Sequence, residues 1–159
     1  MLAFAKLFPK LAWHQTRLLR VMGVMNGVPQ GEYALLEYYC EKPGCDCRRL
    51  LLKVWCESSP KSSLASISFG WESQKFYQRC WCKDEDLPEP APGIRLEWPG
   101  EQLKLSEALL ALVKRAFELD PNYSERLKRH YEMCKKKLAE PMKGTSLKKR
   151  HKRSKDQRR

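Results

Sequence analysis

The fold turns on EYALLEYYCEKPGCDCRRLLLKVWCE, residues 32–57. Two runs rich in aromatic, aliphatic and β-branched residues, 32–40 and 49–57, flank the Pro-Gly pair at 43–44. That is the composition of two strands joined through a turn. A third run of the same kind, SLASISFGWES at 63–73, follows the SSPKSS loop at 58–63. Two successive hairpins, an antiparallel meander over 32–73, are the economical arrangement.

The turn of the first hairpin also carries chemistry. Cys40, Cys45 and Cys47 fall within eight residues. Thiolates at i, i+5 and i+7 across a reversing corner can converge on one ion, and zinc takes four such ligands at Zn–S of about 2.3 Å. Cys82, or its neighbour Cys80 in Cys-Trp-Cys, is the candidate for the fourth; Cys56 and His130 fit less well. Arg48 and Arg49 put positive charge beside Cys47, which favours its thiolate whether for a metal or for thiol exchange. A thiol redox protein or sensor using Cys45 and Cys47 is therefore the alternative. Cys56 and Cys134 lie on apolar faces and read as small buried hydrophobes.

Outward from the meander, the C-terminal half is helical. LSEALLALVKRAFEL (105–119) lines up Leu105, Leu109, Leu112, Val113, Ala116 and Leu119, with Ser106 at the N-cap position. Asp120-Pro121 then opens a second helix, whose stripe is Tyr123, Leu127, Tyr131, Cys134 and Leu138. A short helix fits Gln74 to Trp81, and DEDLPEPAPG (84–93) reads as a surface linker. Residues 2–19 have helical spacing with Pro9 near the first turn, although Thr16 to Val24 equally suits a strand. NGVPQG (26–31) is turn chemistry.

The formal charge of +12 is unevenly distributed. Residues 32–142 hold 18 basic and 18 acidic side chains, whereas 143–159 hold nine basic and one acidic. A neutral body excludes a basic fold that clasps nucleic acid across its whole face. The C-terminal run, with Lys148, Lys149, Arg150, Lys152 and Arg153, reads as a disordered tail with loose electrostatic affinity for nucleic acid or ribosomes. No stretch has the apolar length of a membrane span or the shape of a secretory signal, so the expected compartment is the cytoplasm and the expected contacts exclude a membrane. There, close-set thiols point to metal or redox use rather than to structural disulfides.

Nothing in the chain assembles a familiar catalytic set. There is no P-loop, dinucleotide fingerprint or His-Glu-x-x-His. Of His14, His130 and His151, only His130 sits beside an apolar stripe, where a structural histidine is the simpler reading. Trp55, Trp71, Trp98, Phe69, Phe76 and Tyr77 read as core rather than as a base-stacking platform. No catalytic residue is assigned.

The strings LLEYYCEKPGCDCRRLLLKV, GWES at 70–73 with FY at 76–77, and DPNYSERLKRHYEM at 120–133 resemble a family of small bacterial cysteine-motif proteins. The shared landmarks are Cys-x4-Cys-Asp-Cys-Arg-Arg, GWES and RLKRHY, over roughly residues 16–137. Some members carry a SEC-C zinc-binding motif; here a basic tail stands in that place. The resemblance implies a metal-associated cytoplasmic protein and no particular reaction. The pair Cys80 and Cys82 is not among the family's landmarks.

The expectation is an α+β fold, a small antiparallel sheet packed against two C-terminal helices. It comprises an N-terminal extension (1–15), one domain (16–140) and a tail (141–159). The function read from it is non-enzymatic, cysteine-ligated zinc binding that clips the first hairpin, with Cys40, Cys45, Cys47 and Cys82 as ligands. A plain protein-interaction domain with structural cysteines is the remaining alternative.

Overall fold

The structure is a computed structural model that describes residues 1–59, 62–80, 90–98, 100 and 102–140, with the Cys80 side chain excluded. In chain order the elements are β1 (Leu2–Ala3), α1 (Phe4–Leu7), α2 (Pro9–Gln15), β2 (Arg17–Val21), β3 (Gly31–Tyr39), β4 (Arg49–Cys56), β5 (Ala65–Gly70), α3 (Gln74–Cys80), β6 (Gly93–Leu96), α4 (Ser106–Leu119) and α5 (Pro121–Ala139). The architecture is α+β, as the sequence implied.

The three strands expected over 32–73 form the centre of one antiparallel sheet. Tyr39 faces Leu50 and Tyr33 faces Cys56 across β3 and β4, and Leu52 faces Ile67 across β4 and β5. The order is β1-β3-β4-β5-β6, with β2 also on β3. β2 takes residues 31–35 of β3 and β1 takes 38–39, so the two short strands share its outer edge.

Alternation fixes which face is covered. Tyr33, Leu35, Glu37 and Tyr39 of β3 are buried, as are Leu50, Leu52, Val54 and Cys56 of β4. They meet Leu109 and Val113 of α4 and Tyr123, Leu127, Tyr131 and Cys134 of α5 in one core. On the other face Leu36, Tyr38, Leu51, Lys53 and Trp55 are half-exposed.

Several local readings are corrected. The helical spacing of 2–19 is broken at Phe8, Pro9 becomes the first residue of α2, and Arg17–Val21 is a strand. Edge pairing with β3 settles what propensity left open. β6 lies in a run between prolines that is too short to signal a strand by itself. Only residues 90–93 of the Pro-rich stretch are described, and Gly93 already belongs to β6. Ser106 does not cap α4; it is buried within the first turn, where its Oγ donates to Leu64 O at 3.1 Å and accepts from Leu103 N at 2.8 Å. Asp120 does hold the N-cap of α5, with Pro121 next, and its carboxylate accepts from Arg17 at 2.8 Å. Leu119 and Leu138, assigned to the stripes, are 66% and 39% exposed. Trp98, expected in the core, is 59% exposed.

Candidate metal centre

Cys40 follows the last residue of β3, and Cys47 lies two residues before β4. The intervening corner is shaped by Gly44 at φ +69° and by Cys45 N–H donating to Lys42 O at 3.2 Å. The register of β3 on β4 brings both ends of this loop together. The Sγ atoms of Cys40, Cys45 and Cys47 all lie within 4.8 Å of one another. A Zn–S bond of about 2.3 Å sets two sulfurs of one tetrahedron roughly 3.8 Å apart, so small side-chain rotations suffice to ligate an ion. The cluster is compatible with cysteine-ligated metal binding.

The loop is fastened from three sides. Arg48 occupies the left-handed region at φ +41°, a conformation that costs a non-glycine residue on the order of 1 kcal/mol or more and persists only where neighbours hold it. Tyr131 of α5 accepts the Arg48 N–H at 3.2 Å and donates to Asp46 Oδ1 at 3.3 Å. Tyr77 of α3 donates to Arg48 O at 2.8 Å. The Arg48 guanidinium bonds Asp46 and Glu72, the latter at 2.9 Å, and lies over the Phe76 ring at 5.0 Å. Lys135 of α5 donates to Cys40 O at 3.1 Å. Gly70 is required here, since an added Cβ would meet the Tyr77 hydroxyl at 2.6 Å.

The electrostatics correct the expected thiolate. Arg48 and Arg49 are engaged by carboxylates, Arg49 with Glu97 at 3.0 Å, and neither activates Cys47. The charge falls on Cys40 instead. A hydrogen bond from the Cys47 thiol, helped by the Lys42 backbone, Cys45 and Lys135, lowers the Cys40 thiol from 9.0 to about 5 against the opposing effect of burial. Cys47 is pushed up by donating to Cys40 and by burial, and Cys45 is pushed up by burial and then by Cys40. Three thiols thus share one thiolate, since like charges this close cannot all ionise.

A sign for pH dependence follows. Between pH 5 and 9 folding of the reduced, metal-free chain releases the Cys40 proton, so stability rises with pH through that window. Above it, Cys45 and Cys47 ionise only when unfolded, and stability falls. The melting temperature should therefore peak near pH 9 relative to a Cys40→Ser/Cys45→Ser/Cys47→Ser protein. Parallel melting curves for the two proteins across this range would show the peak to be absent.

The other candidates are placed elsewhere. Cys56 ends β4, at the far end from the cluster, with its Sγ 3.2 Å from Ser58 Oγ. Cys134 is buried, and burial, then Glu37, pushes its thiol up to about 12. Cys82 lies outside the described residues, as do Lys148, Lys149, Arg150, Lys152 and Arg153. His130 is not beside Cys47. It is fully buried, with Nδ1 2.7 Å from Glu37 Oε2 and Nε2 2.8 Å from Gln15 Oε1. The sequence contained a pointer to this pair: Glu37 interrupts the apolar phase of β3, and a carboxylate on a buried strand face requires a partner.

No family model, no curated protein and no solved structure matches the chain. No helix among the described residues is long and apolar enough to cross a membrane.

Proposed function

We propose that this protein binds one zinc ion through the thiolates of Cys40, Cys45 and Cys47 and performs no catalysis of its own. The convergence of the three sulfurs within 4.8 Å, on a loop whose backbone is held by Tyr77 and Tyr131, carries the reading. Zinc suits an all-thiolate donor set, with iron and Cu(I) as the other ions that accept one. Elemental analysis of the full chain, purified reduced and without an affinity tag or added metal, is expected to give about one zinc per chain. The Cys45→Ser/Cys47→Ser protein should contain none. Equal metal contents in the two proteins would end the proposal.

The basic run at 143–159 supports a second element, loose attachment to nucleic acid or ribosomes. Its affinity for single-stranded RNA should fall steeply with salt and be lost when these residues are removed. Salt-independent binding, or binding retained by the truncated chain, would place the contact elsewhere.

The depressed Cys40 thiol favours one rival, a thiol redox role, with Cys40 rather than Cys45 or Cys47 as the attacking thiolate. Metal content separates the two, because a bound ion occupies the same sulfur.

A further inference from the structure

The sheet has a second face. Residues 34, 36 and 38 of β3 and 51, 53 and 55 of β4 point away from α4 and α5, and the register pairs them as Ala34–Trp55, Leu36–Lys53 and Tyr38–Leu51. All six are half-exposed. Trp55, read from the sequence as core, stands on this outer face. It faces Ala34, four residues before Tyr38 in β3, so the two aromatic residues lie about 14 Å apart along the strands at about 3.4 Å per residue. One base cannot span that distance, whereas two bases of one strand can.

Charged side chains are interleaved with these rings. By the same alternation the face carries Arg20, Arg49, Lys53 and Arg95 against Glu32 and Glu97 among the described residues. Each carboxylate is paired with an arginine, Glu32 with Arg20 at 2.7 Å and Glu97 with Arg49 at 3.0 Å. The Lys53 ammonium lies over the Tyr38 ring at 5.5 Å, so cation and aromatic form one unit. A cavity of about 350 Å³ adjoins that unit, with Tyr38, Leu51, Lys53, Ser66 and Glu97 in its lining. Its volume lies within the range of small-ligand sites. The ring and the leucine offer stacking and apolar contact, while the ammonium, hydroxyl and carboxylate offer donors and an acceptor to the edge of a base. The core of a protein–protein contact is instead depleted of Lys and Glu. Aromatic residues interleaved with cations on a sheet face are the composition of a platform for unpaired bases.

We propose that the outer face of β3 and β4 stacks unpaired bases of a single RNA strand, with Tyr38 and Trp55 as the two platforms and the cavity beside Tyr38 as the seat of one base. The inference rests on the reading of residues 143–159 as a polyanion anchor. It adds a site that tells a nucleic acid from any other polyanion. The two parts divide the work. Residues 32–142 are electrically balanced and cannot hold a strand by charge, whereas the basic run attracts phosphate without regard to bases. A strand held by that run meets the sheet face at high effective concentration, so weak stacking becomes measurable in the full chain.

The test sets a single-stranded RNA of about twelve nucleotides against inorganic polyphosphate of equal charge, each titrated onto the full chain and onto its Tyr38→Leu/Trp55→Leu variant. Leucine keeps apolar volume on the face, and thermal melting checks that the variant is folded. The unaltered chain should bind RNA about tenfold or more tighter than polyphosphate, since each stacked base is worth about fivefold or more. The double variant should lose that excess and bind polyphosphate as before. Its slope of log affinity against log salt should not change, because no phosphate contact is removed. Ultraviolet crosslinks to bound RNA should map to the peptides holding Tyr38 and Trp55. Equal RNA affinity in the two proteins, or a loss shared with polyphosphate, would overturn the stacking face while leaving the anchor intact. Dimerisation in sedimentation that the same substitutions abolish would assign the face to a second copy and also overturn it. RNA affinity undiminished in the full-length Lys148→Gln/Lys149→Gln/Arg150→Gln/Lys152→Gln/Arg153→Gln protein would instead remove the anchor reading, and this division of work with it.

Discussion

Replacing His130 by alanine is expected to destabilise the fold by about 3–5 kcal/mol, through a cavity and a stranded buried acid. The imidazole is fully buried, lies 2.7 Å from Glu37 and 2.8 Å from Gln15, and stacks on Phe4 with ring centroids 4.2 Å apart. Glu37 is itself buried, and its Oε2 also accepts the Tyr39 hydroxyl at 2.7 Å. Without the ring, one phenol would remain to satisfy the buried carboxyl group. The Tyr39 hydroxyl is further shared with Leu127 O at 3.2 Å, so the loss is felt on α5 as well. Gln15 and Phe4 would lose their contacts with α5, so the first fifteen residues should loosen before the sheet does. Urea unfolding at neutral pH gives the magnitude, and hydrogen exchange at residues 2–15 gives the order. Replacing both members with apolar residues, Glu37→Leu with His130→Leu, should recover a large part of the loss, because removing a buried pair together leaves neither partner stranded. A His130→Ala cost below about 1 kcal/mol would mean that water or a neighbour already satisfies Glu37.

Legibility from the sequence followed the range of the interactions. Alternation at 33, 35 and 39, the Pro-Gly corner and the stripe at Tyr123, Leu127, Tyr131 and Cys134 are local patterns, and each is realised in β3, the loop and α5. β1 was not legible, and β2 was legible only as one of two readings, because Thr16 to Val24 suits helix and strand alike until pairing with the edge of β3 decides. The cysteine cluster was visible because its three members are close in sequence. What holds it was not. Tyr77, Tyr131, Glu72 and Lys135 come from α3, α5 and the turn after β5, and nothing local marks them as loop anchors. The same limit misdirected the thiolate. Proximity in sequence put Arg48 and Arg49 beside Cys47, whereas the fold supplies both with carboxylates, two of them (Glu72 and Glu97) more than twenty residues away.

Substituting both loop phenols, Tyr77→Phe with Tyr131→Phe, is expected to weaken metal binding by about 10–100-fold, the range found when groups that orient metal ligands are removed. Tyr131 accepts the Arg48 N–H, and Tyr77 donates to the Arg48 carbonyl while accepting the Glu72 N–H at 3.3 Å. Burial is the largest influence raising both phenols, so they stay protonated through the neutral range and keep these donor roles. The two rings remain in the double variant, including the edge contact of residue 131 with Trp71 at 5.1 Å, so the core keeps its apolar filling. What disappears is the constraint that holds residue 48 at φ +41°. Arg48 then has reason to relax to a negative φ, which swings Cys47, one residue before it, away from Cys40. The global loss should be modest, about 1–3 kcal/mol for the hydrogen bonds removed. Affinity and stability are thereby separable. Competition against a chromophoric chelator reads the first, and thermal melting of the metal-free protein reads the second. Unchanged affinity in a folded double variant would show that the ion sets the loop geometry by itself. A fold that collapses outright would show the phenols to be core supports first. The fall in affinity should also appear in the single variants, larger for Tyr131→Phe, because only Tyr131 contacts Asp46 as well as Arg48 between Cys45 and the first residue of β4.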